Sequence, residues 1–236
     1  MSTGGTHADG PAVPSPRGPA WSRHVGRFAA TVVWSTRVTG AEHVPATGPV
    51  ILAANHTGVV DGPLLLGVAP RGLHVLVKQE MFHGPVGAVL RAAGQIPVDR
   101  DGGRAALVTA RAVLERGDAV GVFPEGNRGR GDASSGRAGV AWLALHSGAP
   151  VVPVAMLGTR RTGESTNHLP GLRRRIEVEM GAPVTVRRAP GTSGRQALAD
   201  ANEQVRAALA DLVARAVART GVALPTDGPE GGSRHL

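Results

Sequence analysis

Cysteine is absent from the 236 residues, which removes disulfides, thiol catalysis and thiolate metal ligation together. Tyrosine is absent too, and aromatics make up only 3% of the chain. The core must therefore be built from Val, Leu and Ala, and platforms for stacking nucleic-acid bases are few. No apolar run approaches the roughly 18 residues that a transmembrane helix needs. The first residues offer Pro, Gly and Asp where a signal peptide would be basic and then apolar, so a cytoplasmic location is the expectation. Lysine occurs once, as Lys78, and the remaining basic residues are arginines.

What is present bounds the problem from the other side. A chain of this length with 42% hydrophobic residues fits one domain with a sizeable core. The formal charge of +8 has two readings. One is the Arg, Ala and Gly drift of a GC-rich genome; the other is attraction to an anionic partner such as nucleic acid, a phosphate-bearing substrate or an anionic membrane.

Residues 1–19 and 222–236 are rich in Gly, Pro and Ser and read as disordered tails. The body between 39 and 221 alternates apolar runs with helical periods. "PVILAAN", "LHVLVK", "GQIPV", "AVGVFP" and "PVVPVAML" read as strands, and "RRIEVEMG" as a strand with one solvated face. Helices are expected at "DGPLLLGVA", "GPVGAVLRAAG", "GGRAALVTARAVLERGD" and "GRAGVAWLALHSG", and a long amphipathic one over 194–220. This is the pattern of an α/β domain around a largely parallel sheet. Ahead of it, residues 20–38 read as one amphipathic helix. Trp21, Val25, Phe28 and Val32 form an apolar stripe, with Arg23, Arg27 and Arg37 opposite and Trp34 near the basic side. Such a helix either lies on a membrane surface or packs its stripe on the core.

Three loops after strands carry polar residues that packing does not require. In "NHTGVVD", His56 can act as a general base if an acceptor holds its other nitrogen, and Asp61 can be that acceptor. No Ser or Cys in the phrase offers itself as nucleophile, so the base would activate a hydroxyl of the substrate. The competing role for Asp61 is an ordinary helix N-cap. In "GQIPVDR", Arg100 offers a fork of donors to a phosphate, or is a surface residue beside Asp99 and Asp101. In "FPEGNRGRG", Gly126 permits close backbone approach and can present its N–H to an anion. Arg128 adds a second cationic fork, and Glu125 could orient an Arg or the substrate. Lys78, at a strand end, could reach a developing oxyanion or simply stand in solvent. A further basic run, "LRRR" at 172–175, fits a non-catalytic lipid- or nucleic-acid-binding role but leaves His56, Asp61 and Glu125 unexplained.

"NHTGVVD", "GQIPVDR", "FPEGNR" and "VVPVAML", in this order, resemble the blocks of the glycerolipid acyltransferase family typified by 1-acylglycerol-3-phosphate acyltransferase. The resemblance runs from about Gly40 to Met180. It implies the glycerol-3-phosphate acyltransferase-like α/β fold and transfer of a fatty acyl group from acyl-CoA or acyl carrier protein to 1-acyl-sn-glycerol-3-phosphate, giving phosphatidic acid. His56 would deprotonate the acceptor hydroxyl and Asp61 would hold His56. Arg100, Glu125, Gly126 and Arg128 would bind the acceptor phosphate. No metal and no cofactor beyond the donor's carrier are implied. The expected partners are a lyso-glycerophospholipid, acyl-CoA and the anionic inner face of the cell membrane, not nucleic acid. One departure is Asn127, where the family usually has Thr or Ser, and it bears on the identity of the acceptor. Another lyso-lipid acceptor, or non-catalytic binding of anionic lipid, is the alternative.

Overall fold

The β-branched and Leu-rich runs line up as β2 (Val50–Ala54), β3 (Leu73–Lys78), β4 (Ile96–Val98), β5 (Ala119–Val122) and β6 (Val151–Leu157). Two more strands, β1 (Ser35–Thr39) and β7 (Arg175–Met180), complete a seven-stranded sheet in a computed structural model that describes residues 13–99, 103–133 and 136–228. The strand order is β1-β7-β6-β2-β5-β3-β4, and every pairing is parallel except β6 with β7. Strands β2, β5 and β6 are buried along their whole length, as continuous apolar runs in a sheet covered on both faces should be.

Alternate residues of β2 divide the core. Val50, Leu52 and Ala54 belong to one cluster with Leu64 and Leu65 of α2 (Asp61–Val68), while Ile51 and Ala53 join the cluster of α4 (Arg104–Glu115) and α5 (Gly139–Ser147) on the opposite face. Helix α6 (Gly194–Thr220) covers that second face through Ala201, Val205 and Leu209. It starts at Ser193, whose hydroxyl accepts the Gln196 N–H, and stops at Gly221 with φ +68°, a position a side chain would strain. Helix α3 (Gly84–Ala92) lies beside α1 (Gly18–Phe28), whose Trp21 indole donates to the Ala92 carbonyl.

Three expectations are corrected. The segment before the domain is not one helix to Val38. Helix α1 passes into a wide turn over Ala29–Val33, and Ser35–Thr39 pairs with β7 instead. The β-branched "STRVT" gains a full ladder there. Trp34 is not interfacial: it is buried, and its indole donates to the Pro170 carbonyl. Strand β7 keeps the expected alternation: Ile176, Val178 and Met180 are buried, while on the other face Arg175 is exposed, Glu179 is half-buried and Glu177 is buried against Arg175. The proposed tails are partly ordered: Gly18 and Pro19 begin α1, and Leu224 and Asp227 pack on the domain. Residues 1–12 and 229–236 lie outside the described residues.

Helix α1 meets α2 through its small residues. Added Cβ atoms at Gly26 and Gly67 would come within 3 Å of each other's backbone, so only glycine permits this approach. The large apolar residues face outward: Trp21 is 41% exposed, Val25 60%, Phe28 60% and Val32 51%. No described helix is long and apolar enough to cross a membrane.

Candidate active site

Strand β2 ends at Ala54, and the next residue braces the loop that follows. The buried Asn55 amide donates to the carbonyls of Gly131 (3.0 Å) and Met156 (3.1 Å) and accepts the Met156 N–H (2.7 Å). His56 stands on this platform, with its ring stacked on Phe123 at 4.2 Å between centroids. Its Nδ1 lies 2.8 Å from Asp61 Oδ2. The same oxygen accepts the N–H groups of Thr57 (2.7 Å) and Gly58 (2.8 Å).

This geometry decides the role of Asp61. A capping side chain accepts N–H groups two or three residues ahead of it, inside the helix. Asp61 instead accepts from residues behind it, and helix α2 has no side-chain cap. Its carboxylate is fully buried, folding the loop back on itself and holding the imidazole. With Nδ1–H donated to Asp61, the lone pair of Nε2 is left for a substrate proton. The hydroxyl of the next residue, Thr57, is buried and bonded to the Thr159 hydroxyl at 2.8 Å.

Strand β5 lies beside β2 and delivers the second loop. Glu125 accepts the His56 backbone N–H at 3.3 Å, so it supports the histidine rather than an arginine. Burial, above all, pushes its carboxyl up to about 7, with Asp132 and Asp61 adding to the rise and the His56 and Ala133 N–H groups opposing it. Gly126 adopts φ +69° and its N–H closes the turn on the Phe123 carbonyl at 3.0 Å. That N–H is spent within the chain, which corrects the expectation that it faces an anion. The backbone angle favours glycine here, and an added Cβ would also meet Arg137 Nε at 2.9 Å.

The remaining expected residues line the rim. Lys78 ends β3, the strand next to β5, and its ammonium donates to Asn127 Oδ1 at 2.7 Å. Arg128 donates to the Asn167 side chain and to the Thr166 carbonyl. Arg100 lies outside the described residues. The strand leading to it, β4, pairs with β3 so that Val98 stands opposite Lys78.

Two residues of the site escaped the motif reading. Arg160 is 2% exposed and ties three segments together. It donates to the carbonyls of Gly129 (3.1 Å) and Glu164 (3.0 Å) and pairs with Asp227 at 3.0 Å. Arg137 lies over Gly126. Neither belongs to a motif block: Arg137 returns from the far end of the same loop, its N–H donating to the Pro124 carbonyl at 2.9 Å, and Arg160 is brought in by β6 lying beside β2.

A parallel α/β sheet with a His–Asp pair after one central strand and a Glu–Gly–Asn–Arg turn after its neighbour defines a class of enzyme. Its site sets a histidine held by a buried carboxylate beside cationic hydrogen-bond donors. Residues 35–157, just over half of the chain, match the Acyltransferase family, and the chain belongs to that family. Over 125 residues it is 34% identical to a 1-acyl-sn-glycerol-3-phosphate acyltransferase of Bacillus subtilis, covering 52% of this chain and 62% of the relative. Over 127 residues it is 34% identical to a protein of that name from Borreliella burgdorferi, covering 52% and 51%. The chain thus spans between half and two thirds of these relatives' length. The crystal structure of the 1-acyl-sn-glycerophosphate acyltransferase PlsC from Thermotoga maritima shares the fold, with a TM-score of 0.63 at 23% identity over 84% of this chain and 80% of that one.

Proposed function

We propose that this protein moves a fatty acyl group from a thioester donor, acyl-CoA or acyl carrier protein, to the free hydroxyl of 1-acyl-sn-glycerol-3-phosphate. His56 Nε2 takes the hydroxyl proton as the oxygen attacks the thioester carbonyl. Asp61 stabilises the imidazolium that forms. Collapse of the tetrahedral intermediate breaks the C–S bond, and the imidazolium returns the proton to the leaving thiolate. The products are phosphatidic acid and the free thiol carrier. Arg128 and Arg100 are assigned to the acceptor phosphate, and Lys78 to the rim of the same site. The observation that carries the reading is the His56–Asp61 pair, fixed by three hydrogen bonds to one buried oxygen.

One residue favours a second acceptor class. Asn127 stands where the family usually has Thr or Ser and accepts from Lys78, which suits another lyso-lipid headgroup. Release of free CoA from acyl-CoA in the presence of lysophosphatidic acid, other lysophospholipids and lyso-aminolipids tests the assignment. Turnover confined to lysophosphatidic acid supports it, preference for another lyso-lipid transfers it to that acceptor, and no release with any of them overturns it.

The acceptor and product are lipids, and we assign delivery to a peripheral contact of α1 with the anionic inner face of the cell membrane. The outward stripe of Trp21, Val25 and Phe28, continued by Val32 in the wide turn, supports this, flanked by Arg23 and Arg27. Each basic residue near such a surface is worth about 1 kcal/mol.

A further inference from the structure

The loop between β6 and β7, residues 158–174, carries the two most exposed leucines of the described chain. Leu169 is 70% and Leu172 77% exposed. They are not on a trailing strand of coil. Between them, the Pro170 carbonyl accepts the buried Trp34 indole at 3.1 Å. Immediately after them, the Arg173 N–H donates to the Val33 carbonyl at 2.7 Å, and Arg173 itself turns through the left-handed region at φ +59°. Its guanidinium donates to the Thr31 carbonyl at 3.5 Å, and the Ser35 N–H donates to the Arg174 carbonyl at 2.9 Å. The tip is thus fastened to the end of the α1 segment, where Phe28 and Val32 are also exposed.

The inner side of the same loop closes on the site. The Thr166 carbonyl accepts the Val59 N–H of the His56 loop at 2.9 Å and a donor of Arg128, and the Asn167 side chain accepts another. One short segment therefore has a polar side bonded to the catalytic and acceptor loops and an apolar tip in solvent.

We infer that Leu169 and Leu172 are a second bilayer contact, seated in the interface beside the α1 stripe. The surrounding charge selects the occupant. Arg174 is consumed by Glu164 at 2.5 Å, but Arg27 and Arg173 remain exposed around the leucines, and Arg175 is exposed although it pairs with Glu177. Paired apolar tips ringed by arginines fit anionic headgroups over acyl chains. The "LRRR" run thereby gains a role that the chemistry of the site left unassigned. This inference deepens the lipid-substrate reading above: seating the tip holds the loop that bonds Arg128 and Val59 at the membrane surface, where a lyso-lipid enters.

The absence of cysteine makes the test direct. Leu172→Cys in the full chain takes a single environment-sensitive fluorophore, and Ala214→Cys on the exposed side of α6 serves as control. With vesicles of phosphatidylglycerol and phosphatidylcholine, the label at 172 is expected to shift to the blue, less so at high salt, and the label at 214 to stay unchanged. Leu169→Asp with Leu172→Asp is expected to weaken vesicle sedimentation by about tenfold or more. It should also reduce turnover of vesicle-borne acceptor while sparing acceptor dispersed below its micellar concentration. An unshifted label together with unchanged sedimentation overturns the inference. So does a shift produced by an acyl carrier protein and not by vesicles. The binding readouts need no turnover, so failure of the proposed reaction and failure of this contact are separable.

Discussion

The two loops that meet at the site are held in different ways. In the loop after β2, buried side chains tie the backbone together, with Asp61 Oδ2 fully used and Asp61 Oδ1 buried without a hydrogen bond among the described residues. Asn55 spans to β6, and Asp61 gathers the Thr57 and Gly58 N–H groups and the His56 ring. In the loop after β5, the polar side chains meet partners at the surface: Asn127 accepts from Lys78, and Arg128 leans on the neutral Asn167 side chain and the Thr166 carbonyl. The first arrangement fixes an atom for chemistry. The second offers Arg128 to an anion, whose opposite charge adds a Coulombic attraction that the neutral Asn167 and Thr166 oxygens do not supply. In the proposed reaction, the difference is that between preorganised catalysis and adaptable binding.

Substitutions on the two sides should therefore fail differently. His56→Ala should keep its fold and lose turnover by roughly 10²–10⁴, the worth of a positioned base; folding is checked by circular dichroism and rate by CoA release. Asp61→Asn keeps an acceptor for the loop but not the charge that stabilises the imidazolium. Its turnover should fall by roughly 10² or more with little change in KM for either substrate, and steady-state kinetics with melting curves will tell. An unimpaired rate would return Asp61 to a structural role.

On the binding side, Arg128→Ala should raise KM for a phosphate-bearing acceptor by about tenfold to a hundredfold, the worth of a charge-assisted contact. KM for the acyl donor should change less. Equal KM values for wild type and variant would mean that Arg128 serves only the 158–174 loop. The smallest effect concerns Glu125, which bridges the two loops. Its carboxyl is pushed up to about 7 in the folded protein, above its unfolded value. The folded state therefore holds that proton more tightly, and the resulting stability is present at acid pH and lost as pH rises through 7. Denaturant midpoints measured from pH 5 to 8 should fall more steeply for wild type than for Glu125→Gln. Parallel profiles would show that Glu125 is ionised throughout.

Much of this was readable in the sequence because local chemistry carried it. Continuous apolar runs gave five of the strands, and five residues' separation brought His56 to Asp61. The turn at Gly126 was also legible as a tight turn, although the destination of its N–H was not. What the sequence hid depends on long-range partners. Strand β1 exists because β7 offers it a ladder 140 residues later in the register Ser35 to Arg175. The burial of Trp34 depends on Pro170, and Arg160 joins Gly129 to Asp227 across the fold. Helix α1 was ambiguous for a different reason. Periodicity locates its apolar stripe but does not say which side packs. Here Gly26 and Gly67 let the helices approach on the small side, and the large apolar side is left outward.

The central claim is that His56 acts on the acceptor's hydroxyl, with no acyl group ever resting on the protein. Incubating the protein with acyl-CoA alone, then adding lysophosphatidic acid, while following free CoA and the intact protein mass, tests it most directly. The account predicts an unmodified protein and no CoA burst until the acceptor arrives, after which CoA and phosphatidic acid rise together. A stoichiometric CoA burst with an acylated protein before the acceptor is added would contradict it.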